Sequence, residues 1–201
     1  TATIDIDSTG RMWLASQRDV TTPVNGRDIV VYYSDPPYST WSGPITLETG
    51  TSYQDDISVV VALPGKIGVM WGNESEAVKR FGFRTHVDGT EPDTWTPDEV
   101  PASQSADDSL PYPYIQPDDH FNLAVASDGT LYAAVKTSYD TAGYPKMALL
   151  VRRPNGTWDD LYGLDESGTR PILLLDEANG VLTYVYTQSE GNNPIVYRQS
   201  S

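Results

Sequence analysis

The chain contains no cysteine, so disulfides, zinc–thiolate centres, iron–sulfur clusters and cysteine nucleophiles are excluded, and the redox compartment is left open. It also has no run of about 18 apolar residues, the length a helix needs to cross a bilayer. Positive charge is scarce: 13 Lys+Arg stand against 28 Asp+Glu, for a net charge of −15. Nucleic-acid binding works mainly through Lys and Arg neutralising phosphates, so this balance excludes it, and it argues equally against anionic membrane surfaces. The acids are spread along the chain and read as a solubilising surface, which suits a marine, halophilic or extracellular setting without selecting among them. The expected location is extracellular or at the cell surface. The first residues, TATIDIDSTGR, lack the basic-then-apolar layout of a signal peptide and begin directly with strand-like alternation. Any targeting segment is therefore expected to have been removed or to lie outside this sequence. Helix signals are nearly absent too, since the one helix-like stretch, 74–80, is short and uncapped.

What is present is a repeated hairpin. Two apolar runs, 121–126 and 131–135, are joined by Ser127-Asp128-Gly129-Thr130, and Asp-Gly between such runs predicts a type I′ turn with φ > 0 at both central positions. Similar hairpins turn at Gly10, Gly65 and Gly180, so the four glycines are separated by 55, 64 and 51 residues. A period of that size signals a repeat architecture. Each hairpin is followed by a third strand and, in three cycles, by a strand opening on Trp41, Trp95 or Trp158. The first cycle has strands at 3–6, 12–15, 28–33 and 41–47, and the second at 57–62, 67–71, 80–85 and 95–100. The third runs through 121–126, 131–135, 147–152 and 158–162; the fourth has only 172–175, 181–186 and 195–198.

Units of four antiparallel strands repeating near 50 residues predict an all-β chain, a β-propeller with one blade per unit. Approximate blades are 1–50, 51–103, 117–165 and 166–201, forming one domain with the last blade incomplete. Four blades are few for a closed propeller. The expectation is a piece of a larger one, completed by the rest of the propeller or by a symmetry-related chain. The first strands, such as SVVVAL and ILLL, are the most continuously apolar and are expected to be the most buried.

The segments before the three tryptophans read SDPPYSTW, HVDGTEPDTW and RRPNGTW. They resemble the Asp-box (BNR) turn of sialidase-like propellers, Ser-x-Asp-x-Gly-x-Thr-Trp. The Thr-Trp ending is intact at Thr40-Trp41, Thr94-Trp95 and Thr157-Trp158, while the Asp and Gly positions are displaced or compressed. The resemblance implies the propeller fold and makes these tryptophans structural. It does not carry over the sialidase catalytic set: no Phe/Tyr-Arg-Ile-Pro sequence is present, and Thr169-Arg170-Pro171 is only an echo of it, in the wrong cycle.

Propeller geometry places a working site in the loops that lead into the first strands. Those loops carry Tyr53, Asp55 and Asp56, then Tyr112, Tyr114, Asp118, Asp119 and His120, then Arg170. Aromatic rings stack on the C–H face of a sugar while carboxylates accept its hydroxyl protons, so Tyr53, Asp55, Tyr112, Tyr114, Asp118 and Arg170 are candidate ligand-binding residues. His120, beside Asp119, is the sharpest candidate for acid–base chemistry, with Asp119 and Asp56 as the accompanying carboxylates. No metal site is assigned and no cofactor is expected, although three such oxygens could hold Ca²⁺. The expected partner is a glycan or polysaccharide, bound by a module without a complete catalytic set. A propeller glycoside hydrolase or polysaccharide lyase is the alternative, and a protein-binding scaffold a third. His86 is placed in a turn, and Asn73-Glu-Ser and Asn155-Gly-Thr fit the N-glycosylation pattern in loops.

Overall fold

The computed structural model describes residues 2–20, 26–51, 57–74, 80–110, 116–189, 191 and 193–200. It is all-β, with 14 strands in four antiparallel sheets and a single three-residue 3₁₀ turn, Ser103–Ser105, as its only helical element among the described residues. Among the described residues, no helix is long and apolar enough to cross a membrane. The chain divides into two compact units, Thr1–Val100 and Pro101–Ser201, with two sheets in each.

In the first unit, β1 (Ala2–Ile6), β2 (Met12–Val20), β3 (Gly26–Ser34) and β4 (Ser42–Thr51) form one sheet in sequence order. The second sheet holds β5 (Ser58–Leu63), β6 (Lys66–Asn73) and β7 (Arg80–Val87). The core between them is Trp13, Ala15, Ile29, Val31 and Leu47 against Val60, Ile67, Val69 and Trp71. The second unit repeats this with β8 (Phe121–Val125), β9 (Leu131–Lys136), β10 (Met147–Arg152) and β11 (Tyr162–Asp165), packed on β12 (Thr169–Asp176), β13 (Val181–Thr187) and β14 (Ile195–Gln199). Here the core joins Ala134 and Met147 to Leu173, Tyr184 and Tyr186. Alternation along each strand is what turns one residue set toward the neighbouring sheet.

First strands are sheet edges, with no backbone ladder on one flank. Side chains of the preceding sheet bond to those flanks instead. Thr3 Oγ1 accepts from the Val60 amide at 2.8 Å, and Asp5 Oδ2 accepts from the Ala62 amide at 2.6 Å. In the second unit Asn122 Oδ1 accepts from the Leu173 amide at 2.9 Å. The steps from Thr3 to Asp5 and from Val60 to Ala62 run in the same sense, so β1 and β5 lie parallel.

Four sequence expectations change in detail. The first strands are not the most buried: β1 and β12 alternate with exposed positions, whereas seven of the eight residues of β6 are buried. Central strands have sheet partners on both flanks, and first strands do not. The segment 95–100 is not a regular strand, though it covers β7. Thr96 N donates to Thr85 O and Glu99 N to Phe83 O, both at 2.9 Å, and Asp98 Oδ1 accepts from Phe83 N, also at 2.9 Å. The Asp-Gly hairpin has φ > 0 only at Gly129, where φ is 89°. Its Gly129 N→Ala126 O and Ala126 N→Thr130 O bonds, both 2.9 Å, are those of a type I turn followed by a left-handed glycine. Asn73 ends β6 and is buried, so it is no loop glycosylation site, whereas Asn155 is exposed in a turn.

The tryptophans divide as well. Trp95 packs edge-on to Trp13, with ring centroids 5.6 Å apart, and its Nε1 donates to Pro92 O at 2.9 Å. Trp41 is instead 43% exposed. The indole that an aspartate holds is Trp13, whose Nε1 donates to Asp7 Oδ2 at 2.9 Å from the β1–β2 turn. Asp7 Oδ1 also accepts from Thr9 N at 2.9 Å, Thr9 Oγ1 at 2.7 Å and Arg11 N at 3.0 Å. Burial raises the Asp7 carboxyl, but these four donors outweigh it and hold it below its ordinary 3.8. Asp7→Ala leaves the fully buried indole N–H without an acceptor and is expected to cost about 2–4 kcal/mol of unfolding free energy. Urea denaturation checks this, and a change within error of zero overturns it.

Candidate functional site

The loop from the second cycle to the third ends on a fixed segment. Gln116 and Pro117 are buried, and Gln116 Nε2 donates to Ala102 O at 3.4 Å. Ala102 is itself fully buried with a left-handed backbone, φ 49°. Farther along the loop, the Asp107 carboxylate accepts from Ser109 N at 2.8 Å and from the Tyr144 hydroxyl. Asp118, Asp119 and His120 then lead into β8. The β8–β9 ladder reaches one residue beyond its paired strands, because Lys136 N donates to His120 O at 2.8 Å. That bond sets the last residue of β9 opposite His120.

The result is a compact charged cluster. His120 Nδ1 lies 3.3 Å from Asp118 Oδ1 and also contacts Asp119 Oδ1. Lys136 Nζ is 3.0 Å from Asp118 Oδ2, and Ser138 Oγ is 3.5 Å from the same oxygen. Asp118 is buried, and Asp119 and His120 are half-buried. Hydrogen bonds to the Asp118 and Asp119 carboxylates outweigh burial at His120 and raise its imidazole to about 9. Burial pushes Asp118 up, but bonds from His120 and charge from Lys136 bring it below the ordinary carboxylate range. Asp119 goes the other way: burial and the neighbouring Asp118 carboxylate raise it, against the pull of His120. Near neutral pH, His120 is therefore a cation and a hydrogen-bond donor. It is not the free base that its position suggested.

Asp118, Asp119 and His120 place one ligand atom each within 4.8 Å of one another. Calcium takes about six to eight oxygens, and this set offers two carboxylates and a nitrogen already opposed by an ammonium, so the residues present do not fit it.

The structure brings together three of the sequence candidates, Asp118, Asp119 and His120. Arg170 stands at the start of β12, exposed, in a left-handed backbone (φ 54°) within the bulge between Thr169 and Ile172. Tyr53, Asp55, Asp56, Tyr112 and Tyr114 lie outside the described residues. His86 is a core residue of β7 and not a turn residue: its Nδ1 lies 2.9 Å from Thr94 O, and its ring is 4.8 Å from Trp13 and 5.4 Å from Trp95. Lys136 and Ser138 were missed. Counting the hairpin register back from Gly129 would have found Lys136, the one charge ending the apolar run LYAAVK.

No protein-family profile and no curated protein sequence matches the chain. Solved structures do match it over nearly its whole length. One is the Penicillium chrysogenum α-L-arabinanase complexed with arabinobiose, at TM-score 0.61 and 15% identity, covering 99% of this chain and 62% of that one. The Fusarium graminearum GH93 α-L-arabinofuranosidase with arabinobiose gives TM-score 0.61 at 17% identity, covering 99% and 61%. A Dyadobacter fermentans protein of unknown function gives 0.59 at 14%, covering 98% and 51%. The fold is a β-propeller built of antiparallel blades, shared with these chains. Because the chain spans about half to three-fifths of the length of these matched chains, it is a partial propeller.

The charge assignment has a direct consequence. Stability supplied by charged His120 is fully present below its ordinary 6.5 and is lost as pH rises through about 9. With only two histidines in the chain, proton NMR should resolve a His120 midpoint near 9, moving toward 6.5 in Asp118→Asn. The thermal midpoint should fall between those pH values, and a His120 midpoint near 6.5 in the unaltered protein overturns the assignment.

Proposed function

We propose that this chain is part of a carbohydrate-binding propeller, acting outside the cell or at its surface, in which the Asp118–Asp119–His120–Lys136 cluster contacts sugar hydroxyls. The observation that carries this reading is the internal charge balance of the cluster at the entry to β8. The Asp118 carboxylate, held low by His120 and Lys136, stays ionised and accepts hydroxyl protons, while charged His120 and Lys136 donate to ring or hydroxyl oxygens. Such a site binds a neutral polyol without leaving a buried charge unpaired. The likeness to proteins solved with arabinobiose supports a pentose-containing glycan as the first ligand to test.

A second reading, hydrolysis of a glycosidic bond, is favoured by Asp119. A carboxyl raised by burial is what a general acid requires. Glycosidases set two carboxyls on opposite sides of the scissile bond, about 5–9 Å apart. Asp118 and Asp119 share one histidine within a 4.8 Å cluster, so the pair does not supply that geometry. A hydrolase would need its opposing carboxylate from elsewhere in the protein, and binding is the reading these residues support.

Isothermal titration with arabinobiose and with longer arabino-oligosaccharides, alongside a reducing-sugar assay on arabinan, separates the two. Binding is expected to weaken about tenfold or more, roughly 1.4 kcal/mol, in both His120→Ala and Asp119→Ala, with no sugar released by the unaltered chain. Unchanged affinity in both variants removes the site. Sugar release that disappears in Asp119→Asn replaces binding with hydrolysis.

A further inference from the structure

The two units fill matching positions near their hairpin turns with different side chains. Trp13 and Tyr132 each stand three residues after a turn glycine, Gly10 and Gly129, and pair with Tyr33 and Val151. On the facing sheets, Ile67 and Leu182 each stand two residues after Gly65 and Gly180. Ile67 pairs with His86, and Leu182 lies opposite Ser200, whose N donates to Leu182 O at 3.0 Å. In the first unit this place is filled by rings. The His86 ring is 4.8 Å from that of Trp13, and those of Tyr33 and Trp95 are each 5.6 Å from it. Trp13 and His86 are fully buried there.

In the second unit the same place is open. Valine stands where Tyr33 does and serine where His86 does, so two rings are missing from the space between the sheets. A cleft of about 560 Å³ results, floored by Tyr132, Leu149, Val151 and Leu182 and flanked by Leu175 and Tyr162. Tyr132, Leu149 and Leu182 rest on the core of Ala134, Met147, Leu173 and Tyr184, which closes the inner end. Sites for small molecules are of this size, mostly apolar, with a few polar groups at fixed places. The cleft opens beside Ala126 and Asp128, past the far end of β8 from His120, and is distinct from the charged cluster at that strand's entry.

The mouth of the cleft carries charge of one sign. Arg153 Nε and the Tyr162 hydroxyl both donate to the Asp159 carboxylate, each at 2.9 Å, so that cation is already matched. Asp128 and Glu177 are exposed at the mouth, and among the described residues neither is in an ion pair. Their hydrogen bonds come from neutral groups: Glu177 Oε1 accepts from Ser127 N and Oγ, both at 2.8 Å, and Asp128 Oδ1 from Thr130 N at 2.8 Å. Such a mouth repels an anion and draws a cation.

We infer that this cleft binds a small aromatic amine, its ring lying between Tyr132 and Leu182 and its ammonium turned to Asp128 and Glu177. The ring takes the space that Tyr33 and His86 occupy in the first unit. Burial of the ring supplies affinity, and the two carboxylates select the cation.

Isothermal titration of the natural polypeptide containing residues 1–201 tests this, with tryptamine, indole and indole-3-acetate as probes. Tryptamine is expected to bind, indole about tenfold more weakly, and indole-3-acetate not measurably. Val151→Tyr with Ser200→His restores the two rings and should abolish tryptamine binding without lowering the thermal midpoint. Glu177→Gln keeps an acceptor for Ser127 and should bring tryptamine close to the affinity of indole, which decides the matter if the ring-filled variant does not fold. Absence of tryptamine binding overturns the inference. So does indole-3-acetate binding as tightly as tryptamine, or tryptamine affinity that is unchanged in both variants.

Discussion

The chain depends on how it satisfies the free flank of each first strand. A strand at a sheet edge exposes backbone donors that must find acceptors or face water. Here the acceptors are short polar side chains, Thr3 and Asp5 for β5 and Asn122 for β12. A side chain that reaches a neighbouring backbone sets both the distance between two sheets and their axial register. The apolar cores behind these bonds supply most of the stabilisation but little direction. Register between neighbouring sheets comes from three short polar side chains, Thr3, Asp5 and Asn122, each accepting from a backbone amide of the next sheet.

A different register, that of the β8–β9 ladder within one sheet, positions the candidate site. Fixing β8 in its ladder puts His120 opposite Lys136, and the ladder is long enough to hold Asp118 within reach of both cations. The loop ahead of the cluster is anchored by Gln116 on Ala102 and, farther back, by the Asp107–Tyr144 bond. Positioned charge therefore sits at the end of a rigid strand, where a binding site gains most from preorganisation.

Much of this was legible in the sequence. The glycine spacing, the period-2 apolar runs and the order hairpin, strand, Trp-strand were enough to call four antiparallel units and a propeller. The chemistry of Asp118, Asp119 and His120 as a group was legible as well, because the three are consecutive. Lys136 was hidden behind a 16-residue separation that only the hairpin register closes. The ionisation of His120 was hidden for a different reason: neighbouring carboxylates in a sequence do not reveal whether they point toward the ring. The role of Asp7 is not legible from the Asp-box-like pattern before the later tryptophans, because the aspartate–indole bond belongs to the first hairpin. Irregularity at 95–100 was unreadable in principle, since Asp98 and Thr96 replace ladder bonds with side-chain ones that no propensity anticipates.

The pairing of Asp118 with Lys136 and of Asp119 with His120 has a kinetic side. The chain as a whole is strongly anionic, at −15, yet this cluster presents a near-zero local charge to an incoming molecule. An uncharged molecule approaching it gains no long-range attraction and meets no repulsion, so its rate of encounter should hardly respond to ionic strength. A polyanionic glycan would be slowed by the surrounding field before it ever reached the cluster. Selection by charge is thus exercised by the surface, at encounter, ahead of the cluster.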